Sequence, residues 1–337
     1  MASLTPKLGA FYHLAKSWLS KTAIKINMRH FLSINDIPRE EAEYLLVEAT
    51  RLKLELKEHP ARQRESLQGK TLAMVFEKPS LRTRVSFDVG MNHLGGHALY
   101  LSPQEIGLGT RESVADVARV LSRMCDGIMA RVFKHETVEE LARWSQVPVI
   151  NGLSDKEHPC QAMADLLTLK ERKGLEGRKI AYLGDGNNVC HSLMILCAKL
   201  GVHFSVAAPE GYEPHESFVA TAKEEAAHTG AQIEVVRDPK LAAQNADALY
   251  TDVWTSMGQE EESRQRAEVF PPYQLNAELL RYARPDAIVL HDLPAHKGEE
   301  ISEEVFEAHA DTIFSQAENR LHAQKAIVAW LLGSEEF

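Results

Sequence analysis

The stretch "TLAMVFEKPSLRTRVSFDVGMNHLGG", residues 71–96, decides the fold. Residues 71–76, "TLAMVF", form an apolar run of strand length and read as a short buried strand. Pro79 blocks its extension, and Ser80 is placed to cap a helix that runs on to the Gly95-Gly96 pair. A buried strand, a polar junction and a helix make one β-α unit.

That unit recurs along the chain. Before residue 155, "HALYL", "GIMARV" and "VPVIN" read as strands, with "ESVADVARVLSRMC" and "TVEELARWS" as helices between them. After it, "KIAYLGD", "HFSVAAP", "QIEVVR", "ALYTDVW" and "AIVLHD" read as strands, separated by helices such as "HPCQAMADLLTLKERKG" and "NVCHSLMILCAKLG". Ser33 to Glu58 reads as helical, with Asp36 as its cap, and a last helix is expected over 317–332. Alternating strands and helices imply parallel sheets covered on both faces. The expected fold is α/β, with two doubly wound domains, each a parallel sheet flanked by helices. About four strands belong to the first and about five to the second, with the "SDKEHPCQ" region near the crossover.

Bulk properties narrow the function. A chain of 337 residues is comfortable as two domains. Its net charge of −10 offers no broad basic field for a nucleic-acid backbone. No apolar run approaches the roughly 18–20 residues of a membrane span. Cys125, Cys160, Cys190 and Cys197 form no C-x-x-C pair and read as reduced, mostly buried thiols, which fits a cytoplasmic setting. Residues 1–27 carry four lysines and no acid. They read as an extension or the result of an upstream start, with an organelle address as the minor alternative.

In parallel sheets, ligands collect where strands end in loops. Junction 76–84 gathers Ser80, Arg82, Thr83 and Arg84 at a helix start, a compact anion site suited to phosphate; the plain alternative is a capped helix with solvated arginines. Arg131 ends an apolar strand, where an arginine needs an anion or a structural ion pair. His158 and Gln161 open a helix and share one side of it. The "AYLGDGNNV" turn has Gly184 and Gly186, but valine stands at 189 where a dinucleotide fingerprint needs glycine, so a small polar ligand fits better than NAD. Asp252 ends a strand before Ser256, Met257 and Gly258, a carboxylate and hydroxyl pattern suited to an amino acid. Arg320, read as early in the last helix, opposes the helix dipole and hints at an anion partner.

Taken together, these segments resemble the aspartate/ornithine carbamoyltransferase family, over nearly the whole chain from about residue 28 to 332. The S-x-R-T-R motif matches Ser80 to Arg84, and H-P-x-Q matches His158, Pro159 and Gln161. D-x-x-x-S-M-G matches Asp252, Ser256, Met257 and Gly258. The resemblance implies that residues 28–155 with 317–337 bind carbamoyl phosphate and residues 156–316 bind L-ornithine, with interdomain helices joining the two. It implies a homotrimer and neither metal nor cofactor. Ser80, Leu81 (through its backbone), Arg82, Thr83, Arg131, His158, Gln161, Leu293 and Arg320 would hold carbamoyl phosphate, with Arg131 and His158 also serving catalysis. Asn188, Asp252, Ser256 and Met257 would hold ornithine. The δ-amine would attack the carbamoyl carbon and release phosphate, giving L-citrulline.

The sequence departs from the family at His291-Asp292-Leu293-Pro294, where the ornithine branch reads H-C-L-P. A milder departure is Gly107, where many bacterial members have a glutamine. Asp292 stands where the proton acceptor is expected. It is a base raised by burial, a retuning of the pocket toward another amine, a brake that leaves a slow binding protein, or a plain turn residue.

Overall fold

The computed structural model describes residues 29–59, 65–255 and 262–333. Four strands, β1 (Thr71–Phe76), β2 (His97–Leu101), β3 (Gly127–Arg131) and β4 (Val149–Leu153), form a parallel sheet in the order β2-β1-β3-β4. Five more, β5 (Lys179–Leu183), β6 (His203–Ala207), β7 (Ile233–Val236), β8 (Ala248–Thr251) and β9 (Ile288–His291), form a second parallel sheet in the order β7-β6-β5-β8-β9. The strand content of both sheets is as the sequence implies. The strands themselves are shorter: β8 stops at Thr251 and β5 at Leu183, because the residues beyond turn out of the sheet to build loops.

Eight helices of eight or more residues lie among the described residues: α1 (Arg39–Glu58), α2 (Leu81–His93), α3 (Val114–Leu121), α4 (His135–Trp144), α5 (Pro159–Lys173), α6 (Asn188–Lys199), α7 (Glu216–Thr229) and α8 (Ala310–Leu332). Two helix boundaries correct the sequence reading. The helix expected from Ser33 is a 3-10 turn at Ile34–Asp36 followed by α1. Ile37 precedes Pro38 and is extended at φ −114 and ψ 136, as a residue before proline prefers. Asp36 closes that small turn by accepting from Leu32 and Ser33 and does not cap α1. The last helix begins at Ala310 rather than 317.

β1, β3, β4, β5 and β8 are buried almost throughout, so both sheets are covered on both faces. One apolar cluster runs from Met74 and Phe76 of the first sheet through Met163 and Leu167 of α5 to Tyr182 and Tyr250 of the second. Helices α5 and α8 lie against each other and join the sheets. Each sheet reverses its winding once, between β1 and β3 and between β5 and β8. At such a point neighbouring loops diverge and leave a crevice at the strands' carboxyl ends. No described helix is long and apolar enough to cross a membrane.

Candidate active site

The first crevice is built from the junction quoted at the outset. Ser80 is extended and its hydroxyl accepts from the Thr83 N–H at 3.3 Å, which starts α2 at Leu81. The other N–H groups of that first turn have no partner within the helix. Leu81, the first residue of α2, is 74% exposed. Thr83 is buried, and its hydroxyl meets Arg131 Nη1 at 3.5 Å and Arg320 Nη2 at 3.3 Å. Arg131 ends β3, paired in register with Phe76 at the end of β1.

Arg320 is buried in the middle of α8, about three turns from the helix start rather than early in the helix, so the helix dipole does not account for its placement. What holds it is tertiary. Its Nη1 donates to Gln161 Oε1 at 2.6 Å, and the Gln324 amide oxygen accepts from Nε at 3.1 Å. Two buried guanidiniums whose hydrogen-bond partners are neutral make a site suited to an anion. Burial lowers the Arg131 pKa to about 10 and pushes Arg320 down as well. His158, at the start of α5, is buried, and its backbone N–H is tied to Ser192 Oγ at 2.9 Å. Burial, then the arginines, drive its pKa well below 6.5, so its imidazole is neutral near pH 7.

Sequence reasoning missed Lys78, which faces this group. It is 9% exposed, with Nζ 5.1 Å from the Phe133 ring centroid. Burial, then Arg131, lower its pKa to about 8. The available signal was its place in "EKPS", two residues before the helix cap.

The second crevice belongs to β5, β8 and β9. Asp252 follows β8, and its Oδ2 accepts from Asn187 Nδ2 at 2.6 Å. Asn187 caps α6 as well, accepting from Val189 and Cys190. The neighbouring Asn188 donates to Ser154 O at 2.6 Å. The residue touching Asp252 is therefore Asn187, one position from the asparagine singled out by sequence. Ser256 and Met257 lie outside the described residues.

Asp292 comes directly after β9. The carboxylates of Asp252 and Asp292 and Nδ1 of His291 lie within 4.8 Å of one another. Asp292 Oδ1 is buried with no donor. Burial, then the Asp252 charge, raise its pKa well above 3.8, which makes it a stronger base than an ordinary aspartate. His291 is already engaged at both nitrogens: Nδ1 accepts from Leu293 N at 2.9 Å and Nε2 meets Glu300 at 3.0 Å. The trio therefore offers a cation only its two carboxylates.

The two crevices meet at Leu293. This residue has φ 61, uncommon for a side chain larger than glycine, and precedes a cis proline peptide. Its turned carbonyl accepts from Arg82 Nη2. The field of Asp292 reaches Arg131 and Arg320. A cationic, anion-seeking pocket thus borders an acidic pocket suited to ammonium groups. A separate surface cleft of about 690 Å³, lined by Arg39, Glu43, Gly177, Gly201 and His203, lies at the amino ends of β5 and β6, away from this chemistry.

Comparison with known proteins agrees with this division. Residues 29–171 match the carbamoyl-P binding domain of aspartate/ornithine carbamoyltransferases, and residues 176–331 match the Asp/Orn binding domain. The chain is 52% identical over 306 residues to an ornithine carbamoyltransferase of Thermococcus kodakarensis, covering 90% of this chain and 96% of the relative. It is 54% identical over 310 residues to one of Anoxybacillus flavithermus, covering 92% and 98%. The solved ornithine carbamoyltransferase of Pyrococcus furiosus superposes with a TM-score of 0.87 at 50% identity, covering 91% and 98%. By its two crevices, its motifs and these likenesses, the chain belongs to the aspartate/ornithine carbamoyltransferase family.

Proposed function

We propose that the chain transfers the carbamoyl group of carbamoyl phosphate to the δ-amine of L-ornithine, giving L-citrulline and phosphate. What carries this reading is the contact of the buried arginine pocket with the carboxyl pair across Leu293. Carbamoyl phosphate fits the first pocket, with its phosphate on the α2 first turn (Ser80, Leu81, Arg82) and Arg320. Its carbonyl oxygen faces Thr83, Arg131 and neutral His158, while Gln161 and the Leu293 carbonyl address the carbamoyl amide. Ornithine fits the second, with its α-ammonium on Asp252 and its carboxylate toward Asn188, Ser256 and Met257. Residues 28–155 with 317–337 serve chiefly the first substrate and 156–316 chiefly the second, with His158, Gln161 and Leu293 of the latter reaching across to carbamoyl phosphate.

Only a neutral amine attacks. With ordinary values near ~10.4 for the ammonium and ~3.9 for an aspartate, proton transfer to Asp292 would cost about 9 kcal/mol. Each unit by which burial and Asp252 raise Asp292 removes about 1.4 kcal/mol of that. The amine nitrogen then bonds to the carbamoyl carbon as the carbonyl electrons move onto oxygen. The Arg131, Thr83 and His158 donors stabilise the oxyanion, and its collapse expels phosphate, which leaves with the second proton shed by the newly bonded nitrogen. Holding both reactants in line supplies a large further part of the rate.

The assembled form is a homotrimer in this reading. β2 is an edge strand with Leu99 exposed at 41%, and Leu81 and Val85 of α2, which follows the anion-pocket junction, are exposed as well, apolar side chains that a subunit contact would cover. Sedimentation equilibrium at three times the chain mass is the expected result. The catalytic reading is tested by a citrulline assay from pH 6 to 10. No product at any pH, with turnover on putrescine instead, would overturn it.

A further inference from the structure

Asp165 lies on α5 one turn beyond Gln161 and is fully buried. The mechanism above does not use it. A buried carboxylate is costly unless it is bonded. Both of its bonds fall on one oxygen: Oδ1 accepts from Gln161 Nε2 at 2.8 Å and from Gln316 Nε2 at 2.6 Å. An amide held at its nitrogen has its oxygen aimed as well. The Gln161 oxygen is aimed at Arg320 Nη1, at 2.6 Å. The Gln316 oxygen is aimed at the His291 N–H, at 2.7 Å, one residue before Asp292. One acceptor oxygen thus sets two amides, one for each pocket.

We propose that Asp165 is a positioning residue that sets the Arg320 side of the anion pocket and the His291–Asp292 side of the amine pocket together, through the two glutamines. This rests on the substrate assignment above. The acceptor oxygen, rather than the charge, is what the arrangement needs, since both donors are neutral amides. A chain of hydrogen bonds between two α-helices and the end of β9 also keeps the pockets in register across the interdomain seam.

Three variants test the proposal by steady-state kinetics. Asp165→Asn keeps the acceptor and leaves both KM values within about twofold. Asp165→Leu removes it, and KM for both substrates rises about tenfold or more, the scale of one lost bond to a buried polar group. Gln316→Met removes only the His291 arm, so KM for ornithine rises about tenfold while that for carbamoyl phosphate stays within twofold. A purely structural role would not produce this split. Wild-type KM values in Asp165→Leu would overturn the proposal, as would equal effects on both substrates in Gln316→Met. So would an Asp165→Asn enzyme as impaired as the leucine variant. Where Asp165→Leu does not fold, the other two variants decide. Failure of the unaltered protein to make citrulline would overturn the substrate reading alone. Calorimetry with inorganic phosphate then still decides: Asp165→Asn keeps phosphate affinity and Gln316→Met leaves it unchanged, and loss of affinity in either overturns the proposal.

Discussion

Asp292 shows what one residue owes to its surroundings. In sequence it is an acid before Leu-Pro, open to four readings. In the fold it is a carboxyl with a donorless buried oxygen beside Asp252, and its pKa is raised. A participating base predicts that Asp292→Asn lowers kcat about 10²-fold or more. Asp292→Cys also falls in this reading, and a rise in kcat would identify Asp292 as a brake. The pair makes a second prediction. The negative charge of Asp252 holds the Asp292 pKa up, so Asp252→Asn shifts the acidic limb of the kcat/KM profile for ornithine to lower pH. An unmoved limb would separate the two carboxyls. Sequence showed both acids but not their approach, because they end different strands 40 positions apart.

At the scale of elements, the β5–α6 turn is the instructive case. Gly184 and Gly186 invite a nucleotide reading by spacing. Gly184 does need its freedom, at φ 124. Gly186 is required for another reason: a Cβ there would overlap the backbone of Glu213 and Pro214, and its N–H donates to Tyr212 O at 2.8 Å. The loop after β6 fills the approach that a pyrophosphate would need. Gly186→Ala is therefore expected to destabilise the protein by about 1–3 kcal/mol or more, read as a lower urea midpoint, through backbone displacement. The sequence places the start of α8 too late for a local reason. Residues 303–308 are already helical and no proline or glycine separates them from Ala310, so the sequence carries no start signal.

At the scale of the molecule, buried carboxyls tie the segments together. Glu157 lies just before α5 and is 3% exposed. It accepts from Ile34 N at 3.2 Å and from Ser192 Oγ at 3.0 Å, joining the chain's first described turn to α6. Burial raises its pKa to about 7. A carboxyl raised in the folded state favours the protonated protein. Its stabilising contribution is complete below its unfolded value near ~4.3 and is lost as pH rises through about 7. Glu157→Gln keeps an acceptor and removes that dependence. It is expected to unfold at higher urea than the unaltered protein at pH 8, by about 2–3 kcal/mol, with the difference gone below pH ~4. Equal midpoints at pH 8 would refute this.

The sequence by itself determined the α/β class, the two sheets and the clustering of Ser80–Arg84, His158–Gln161 and Asp252 at strand ends. These follow from apolar runs, caps and breakers, which act over a few residues. The tertiary structure alone decided what the junctions touch. Thr83, Arg131, Gln161 and Arg320 come from four different elements yet share one hydrogen-bond network. Asn187 rather than Asn188 meets Asp252, and Leu293 turns its carbonyl to Arg82. Lys78, Asp165 and Gln316 gain roles only through partners remote in sequence. Local patterns specify elements because their energetics are local. A site of buried charge is specified by which elements the core brings together, and that information is absent from any single stretch of the chain.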